Sequence, residues 1–319
     1  MRRRLLPLLV TALALPAPAA AAPVRSVIFF YPWYSNPAHD GGYTHWQQGQ
    51  HTPPFDLASD YFPARGPYSS GDPRVLRAQM RDIRRAGVDE VVSSWWGRGS
   101  REDLRLHAVQ DAARARRLAV GVHLEPYAGR SIDSVGADLQ YLRSLGIRDV
   151  YVYRAGDFTP DQWRTLNLPL SGVRTFAQTN LVGFAANAGF AGFYTYDILT
   201  FGGAQFSRLC EQAHALGLLC APSVGPGYNA TPATGDLRIK PRDEGATYDC
   251  MWRAAIRAGA DIVTITSYNE WSEGTQIEPA GHGGRYDSYS GAYGLRGRAA
   301  EWAYVRATGR WTAMLRKVR

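Results

Sequence analysis

Lysine is almost absent from this chain of 319 residues: only Lys240 and Lys317 accompany 34 arginines. Cysteine is nearly as scarce, with Cys210, Cys220 and Cys250 alone. Three cysteines in a chain this long exclude a disulfide scaffold, and their spacing fits no zinc motif. Beyond the N-terminal segment no stretch approaches 18 uninterrupted apolar residues, so no helical membrane span is expected. The chain has no Gly-x-Ser-x-Gly sequence and so lacks the nucleophile elbow of a serine hydrolase. No glycine-rich phosphate loop follows the first predicted strand, where Tyr31-Pro32-Trp33-Tyr34 stands instead. With 45% hydrophobic and 20% charged residues, disorder, collagen and coiled coil are excluded for the whole. The formal net charge of +8 is an arginine excess. The arginines are scattered and not gathered in runs with stacking aromatics, so codon usage explains them and no nucleic-acid partner is expected.

At the N-terminus, Arg2, Arg3 and Arg4 precede an apolar run from Leu5 to Leu15, and Ala20-Ala21-Ala22 follows. This is the pattern of a secretory signal peptide over residues 1–22. It leaves residues 23–319 as one domain, exported and released. Cys210 and Cys220 either form one bridge or remain, with Cys250, as buried free thiols.

The remaining chain alternates β-branched or aromatic runs with amphipathic helical runs. Strands are expected at Ser26–Tyr34, Glu90–Trp96, Ala119–Tyr127, Asp149–Arg154, Arg174–Gln178, Gly192–Asp197, Leu218–Val224 and Ile262–Tyr268. A helix is expected after each, the last over about Arg296–Leu315. Eight strand–helix units in series predict a single (β/α)8 barrel, with an open doubly wound sheet as the alternative.

In a barrel the site lies at the C-terminal strand ends. The residues there are unusual. The first strand ends in Tyr31 and Tyr34 and runs into a long loop holding His39, Asp40, His45 and Trp46. Trp95 and Trp96 end the second strand, and His123 and Glu125 the third. Tyr194 and Tyr196 end the sixth, Tyr228 follows the seventh, and Asn269, Glu270, Trp271 and Glu273 end the eighth. Aromatics at 12% suit either a large core or a sugar-binding cleft. Core packing does not readily explain aromatics and acids at the same end of most strands, whereas a glycosidase needs both. Glu270 and Glu273 can share one mouth if the chain turns there, and Gly274 supplies a turn. Two such carboxylates push each other's pKa apart, so one can be acid while the other is base. The alternative is a pair of solvated loop glutamates. Glu278 is expected to hold the loop by hydrogen bonds. His39, His45 and His123 offer no close-spaced ligand pair, so neither metal nor cofactor is expected.

Several blocks in order resemble the endo-α-mannosidase family, glycoside hydrolase family 99. They are Tyr31-Pro32-Trp33-Tyr34 with Pro37–Gly41 and His45-Trp46; Gly66-Pro67-Tyr68-Ser69-Ser70; His123-Leu124-Glu125-Pro126-Tyr127; Gly192–Tyr196; Pro222–Tyr228; and Ser267–Glu278. The resemblance implies a (β/α)8 barrel in a secreted or luminal setting, cleaving internal α-mannosidic bonds with retention. It implies that Glu270 deprotonates the sugar's own 2-hydroxyl, which attacks the anomeric carbon to give a 1,2-anhydro sugar. Glu273 then serves as acid and afterwards as base for water. The expected partner is an α-mannan or mannose-containing glycan. Tyr31, Tyr34, His39, Asp40, Trp46, Trp95, Trp96, His123, Glu125, Tyr194, Tyr196, Tyr228, Asn269 and Trp271 are expected to bind it, in a monomer. Two departures stand out. Ser272 occupies a position where the family usually has histidine, and the segment Leu142–Asp157 is short and lacks a His-Pro-aromatic stretch. A sugar-binding barrel without catalysis is the alternative function.

Overall fold

The computed structural model describes residues 24–282 and 284–318, and the expected signal peptide lies outside them. The β-branched and aromatic runs become parallel strands: β1 (Arg25–Phe30), β2 (Glu90–Trp95), β3 (Ala119–Leu124), β4 (Asp149–Val152), β5 (Arg174–Gln178), β6 (Gly192–Tyr194), β7 (Leu219–Ala221, continued past Pro222 by Ser223–Val224) and β8 (Ile262–Ile265). Each pairs with the next from β1 to β7, and β8 pairs with β1. Proline has no N–H, so Pro222 interrupts the ladder. The residues before it pair with β6 and those after it with β8, with the Thr264 N–H donating to the Pro222 carbonyl at 3.1 Å. The seventh strand thereby closes the barrel in two pieces.

Helices cover the outside: α1 (Pro73–Arg85), α2 (Arg101–Arg114), α3 (Ile132–Ser144), α4 (Pro160–Asn167), α5 (Val182–Asn187), α6 (Phe206–Ala215), α7 (Ala246–Arg257) and α8 (Ala303–Leu315). Their starts follow from the sequence. Asp72 and Ser100 cap α1 and α2, and Thr159 and Gln162 form a reciprocal capping box ahead of Pro160. Two expectations are corrected. The terminal helix divides at Trp302, whose φ and ψ of −99° and 8° leave the helical region. Strand β1 stops at Phe30, because the Asn269 side chain rather than a strand takes the Tyr31 backbone groups.

The barrel is filled and plugged from below. Phe29 sits on its axis, with ring centroids 4.7 to 5.8 Å from His123, Tyr151, Tyr194 and Tyr196. At the lower end Arg25 bridges Glu90 and Asp149, and Arg174 also pairs with Asp149. A Cβ on Gly121 would fall 2.5 Å from a Glu90 carboxyl oxygen, so only glycine fits beside this cluster. Burial and the neighbouring Asp149 push Glu90 up to about 8. Among the described residues no helix is long and apolar enough to cross a membrane.

Cys210 on α6 and Cys220 on β7 form a disulfide. Cys250 is free and exposed, not buried as expected, because it lies on the outward side of α7, whose inward side carries Met251 and Trp252. Closing a loop of this length contributes about 2–3 kcal/mol by the chain-entropy argument. The Cys210→Ala/Cys220→Ala variant is expected to lose that much stability, read as a lower urea midpoint with an unchanged slope, and to keep its activity per folded molecule. An unchanged midpoint would show that the bridge contributes nothing.

Candidate active site

The chain leaving β8 makes the mouth. A 3-10 turn, Trp271–Glu273, follows Glu270 and ends at Gly274, whose φ is 64°. At three residues per turn, positions 270 and 273 lie on one side. A Cβ on Gly274 would stand 3.0 Å from backbone atoms of Asn229, so the turn requires glycine on two counts.

Asn269 ties this turn to β1. Its Oδ1 accepts from the Tyr31 N–H at 2.8 Å and its Nδ2 donates to the Tyr31 carbonyl at 2.9 Å. The Tyr34 hydroxyl donates to the Asn269 carbonyl at 3.0 Å and accepts from the Trp271 N–H at 3.1 Å. Beneath them lies Glu278, with no exposed surface. Its Oε1 accepts from Arg65 at 3.1 Å and Gln79 at 2.9 Å; its Oε2 accepts from the Tyr68 hydroxyl at 2.7 Å and the Trp271 indole at 3.0 Å. Burial pushes this carboxyl up, and Arg65 and the neutral donors pull against it. Glu278 therefore holds the loop, as its position suggests.

Above this platform the acids converge. Glu270 Oε1 accepts from the Ser272 hydroxyl, and the Glu270 N–H donates to Ser267 Oγ at 2.8 Å. Glu273, partly exposed, lines a cavity of about 130 Å3 with Tyr153, Tyr196, Asp197 and Tyr228. Burial, then the Glu273 charge, pushes Glu270 well above the usual carboxylate range. Burial, then Asp197 and Glu125, pushes Glu273 up to about 7. Two carboxyl groups whose pKa values are raised in this way can differ in protonation, one as acid and one as base. Larger grooves, of about 590 Å3 between α3 and α4 and about 660 Å3 beside α8, lie outside the barrel and have no carboxylate in their linings.

The other walls come from β1, β3 and β6. The Tyr31 and Tyr196 hydroxyls bond to each other. Tyr196 has φ 53°, unusual for a bulky residue, and is held there by Ser223 Oγ on its N–H (2.7 Å) and Thr266 Oγ1 on its carbonyl (3.2 Å). Glu125 Oε1 accepts from Ser94 Oγ at 2.8 Å and meets His123 Nδ1 at 2.9 Å, while His123 Nε2 meets the Tyr194 hydroxyl at 2.8 Å.

The structure thus brings Tyr31, His123, Glu125, Tyr194, Tyr196, Glu270 and Glu273 together, with Tyr228 beside them, its hydroxyl 3.1 Å from Asp236. It places others differently from the expectation. Trp46 is buried on Tyr34 with its indole N–H on the Tyr68 carbonyl at 2.9 Å. Trp95 is buried toward α2, bonded to Asp103 at 2.8 Å. Tyr34, Asn269 and Trp271 are likewise buried framework below the acids. His39 and Asp40 stand exposed on the short helix Pro37–Asp40, where Asp40 pairs with Arg105 at 2.8 Å, away from the acid pair. Trp96, in contrast, is 37% exposed at the end of β2 and free to stack. Tyr153, Asp197 and Ser272 are site residues that the expected binding set omits. Asp197 ends one predicted strand and Tyr153 is the last residue but one of another, which was the available signal.

Comparison with known proteins bears on this arrangement. Residues 24–317 match the family model for glycosyl hydrolase family 99. The chain is 33% identical to a human protein described as glycoprotein endo-alpha-1,2-mannosidase-like protein, over 83% of this chain and 71% of that one. It is 32% identical to the glycoprotein endo-alpha-1,2-mannosidase of Xenopus laevis, over 79% and 69%. Its fold superposes on the GH99 endo-alpha-mannosidase from Bacteroides thetaiotaomicron with a TM-score of 0.82 and 28% identity, covering 92% of this chain and 98% of that one.

Removing Glu278 would leave the half-buried Arg65 guanidinium beside Asp82 with one partner fewer, and the buried Gln79, Tyr68 and Trp271 donors without their acceptor. Glu278→Ala is expected to cost about 3–5 kcal/mol, the range for breaking a buried ion pair from one side. Chemical denaturation measures it, and a loss below about 1 kcal/mol would mean that the four donors find other partners.

Proposed function

The chain belongs to glycosyl hydrolase family 99 and is a glycoside hydrolase of the endo-α-mannosidase type; from that premise we propose that it is secreted and hydrolyses internal α-mannosidic bonds of an α-mannan or mannose-containing glycan, with retention, through the sugar's own 2-hydroxyl. The observation that carries the reading is the Glu270/Glu273 pair on one side of a 3-10 turn, with Glu273 lining the cavity and its charge acting on Glu270.

Glu270 takes the proton from the 2-hydroxyl as that oxygen attacks the anomeric carbon. Glu273 gives its proton to the departing glycosidic oxygen. In the second half Glu273, now ionised, takes a proton from water, which opens the 1,2-anhydro ring at the anomeric carbon, and Glu270 returns its proton to the 2-oxygen. Two inversions give retention. No carboxylate needs to bond to carbon, so the usual spacing rule for a nucleophile and an acid does not apply, as for other substrate-assisted enzymes. The acid role suits the electrostatics: Glu273, held up to about 7, keeps its proton under mildly acidic conditions. Trp96 offers an indole face at the rim for the apolar side of a neighbouring sugar.

The N-terminal Arg2–Ala22 pattern supports export. Ser272 and the short Leu142–Asp157 segment present fewer polar groups to the sugar than relatives would, which lowers selectivity more than it lowers chemistry. The natural substrate is therefore a bacterial or fungal surface mannan and not a glucose-capped host glycan. Product profiling on α-1,2- and α-1,6-linked mannans should show internal cleavage. Activity confined to glucose-capped high-mannose glycans would refute the substrate, and inactivity on every member would favour a binding protein.

Glu270→Gln should lower turnover by about a thousandfold with every leaving group, while Glu273→Gln should cost markedly less on a glycosyl fluoride, whose departure needs no proton, than on a glycan. In the native enzyme, kcat/KM on a glycan should fall as pH rises through about 7, because Glu273 must be protonated. Equal losses on both substrates would contradict the division of roles.

A further inference from the structure

Glu270 faces a difficulty that the rest of the mouth does not relieve. To act as base it must be ionised, yet it is the deeper of the two acids, only 3% exposed. Among the described residues no arginine, lysine or histidine pairs with it. The charged and titratable groups that face it are Glu273 from its own turn, Glu125 beyond β3, Tyr31 and Tyr34 beyond β1, and Tyr196 beyond β6. The two carboxylates repel its charge. The phenols stay protonated, and none of them is hydrogen-bonded to the Glu270 carboxylate among the described residues: the Tyr31 and Tyr196 hydroxyls meet each other, and the Tyr34 hydroxyl donates to the Asn269 carbonyl. One side-chain hydroxyl does reach it. Ser272, itself only 9% exposed, sits two residues along the same 3-10 turn and gives its hydroxyl hydrogen to Glu270 Oε1.

The bond is one-sided. Oε2 has no hydrogen-bond partner among the described residues, and it is not one of the sealed-off buried polar atoms. The carboxylate is therefore held by one oxygen, with the other uncommitted. A carboxylate that takes a proton from a weak acid needs this arrangement: a donor that favours its ionised form and a free oxygen held in place.

We infer that Ser272 is a positioning residue for the reaction, its hydroxyl keeping Glu270 ionised and fixing Oε2 as the atom that receives the substrate's 2-hydroxyl proton. The inference rests on the assignment of Glu270 as base. Ser272 touches no reacting atom and acts only through Glu270.

The experiment uses a glycosyl fluoride, which needs no acid, and reads kcat/KM, which ends at fluoride loss before Glu273 acts on water, so that the acid limb of the pH profile reports Glu270 and not Glu273. Ser272→Ala removes the donor. The Glu270 pKa then rises and the acid limb moves to higher pH, by about one unit, with kcat/KM below that limb reduced about tenfold, the scale of one hydrogen bond to a charged group. KM should change little, because the Ser272 hydroxyl is already given to Glu270 and acts through it. Ser272→Thr retains the hydroxyl and should return the limb to its original place. A limb that does not move in Ser272→Ala, or that moves equally in Ser272→Thr, overturns the inference. A Glu270→Gln variant measured alongside separates the two claims: if it is inactive while the Ser272→Ala limb stays put, only the role of Ser272 falls; if it is active, the assignment of Glu270 falls.

Discussion

The mouth of this barrel hangs from Glu278, a carboxylate that accepts four hydrogen bonds where water does not reach. A buried charge is tolerated only when every lone pair finds a partner. Here the partners come from three directions: Arg65 and Tyr68 from the long loop after β1, Gln79 from α1, and Trp271 from the catalytic turn. Meeting one electrostatic requirement therefore gathers three separate segments. The same Tyr68 hydroxyl meets Asn269, and Asn269 grips both backbone groups of Tyr31. The position of the acids is thus inherited from a polar network beneath them, not from contacts they make themselves.

Those acids make few contacts. Glu270 has one donor on its carboxylate, and Glu273 has none among the described residues. A carboxylate supplied with several donors is a poor proton carrier, because its ionised form is stabilised too well. The contrast with Glu278 shows two uses of one side chain within nine residues of sequence. Where donors are plentiful, the group is structural. Where they are sparse and other carboxylates crowd in, its pKa rises into the range where protons move at neutral pH.

Much of this could be read from the sequence. Eight alternating units predict the barrel, and the period-2 and period-3.6 patterns place all eight strands and their helices, with Thr159 and Pro160 marking one helix start to the residue. The errors are local and physical. Strands were expected to run through Tyr34 and Tyr268, but ladder pairing ends where side chains such as Asn269 take over the backbone groups. Pro222 divides a strand that hydrophobicity alone reads as continuous. At the site, Glu270 and Glu273 are legible because an acid pair beside a turn glycine is unusual. What the sequence does not reveal is which aromatics face inward. Trp95 and Trp96 are adjacent, yet one is buried against α2 and the other reaches solvent, since neighbours on a strand point to opposite faces. Whether that face is lined by helix or by substrate depends on the packing of segments far away in sequence. The same holds for Tyr153 and Asp197, which become site residues only once the barrel closes.

The Cys210–Cys220 bridge also bears on where the chain can mature. Such a bond forms and persists in oxidising surroundings and is kept open in a reducing cytoplasm. In reducing surroundings, then, α6 and β7 are held together by packing alone, and the barrel is easier to open. Oxidation adds a constraint that the reduced form never had, and the return path to the unfolded chain becomes harder. A single pair of sulfurs in a cysteine-poor protein thus separates a pliable reduced form from a hardened oxidised one, with the redox potential of the surroundings, not the sequence, deciding which of the two exists.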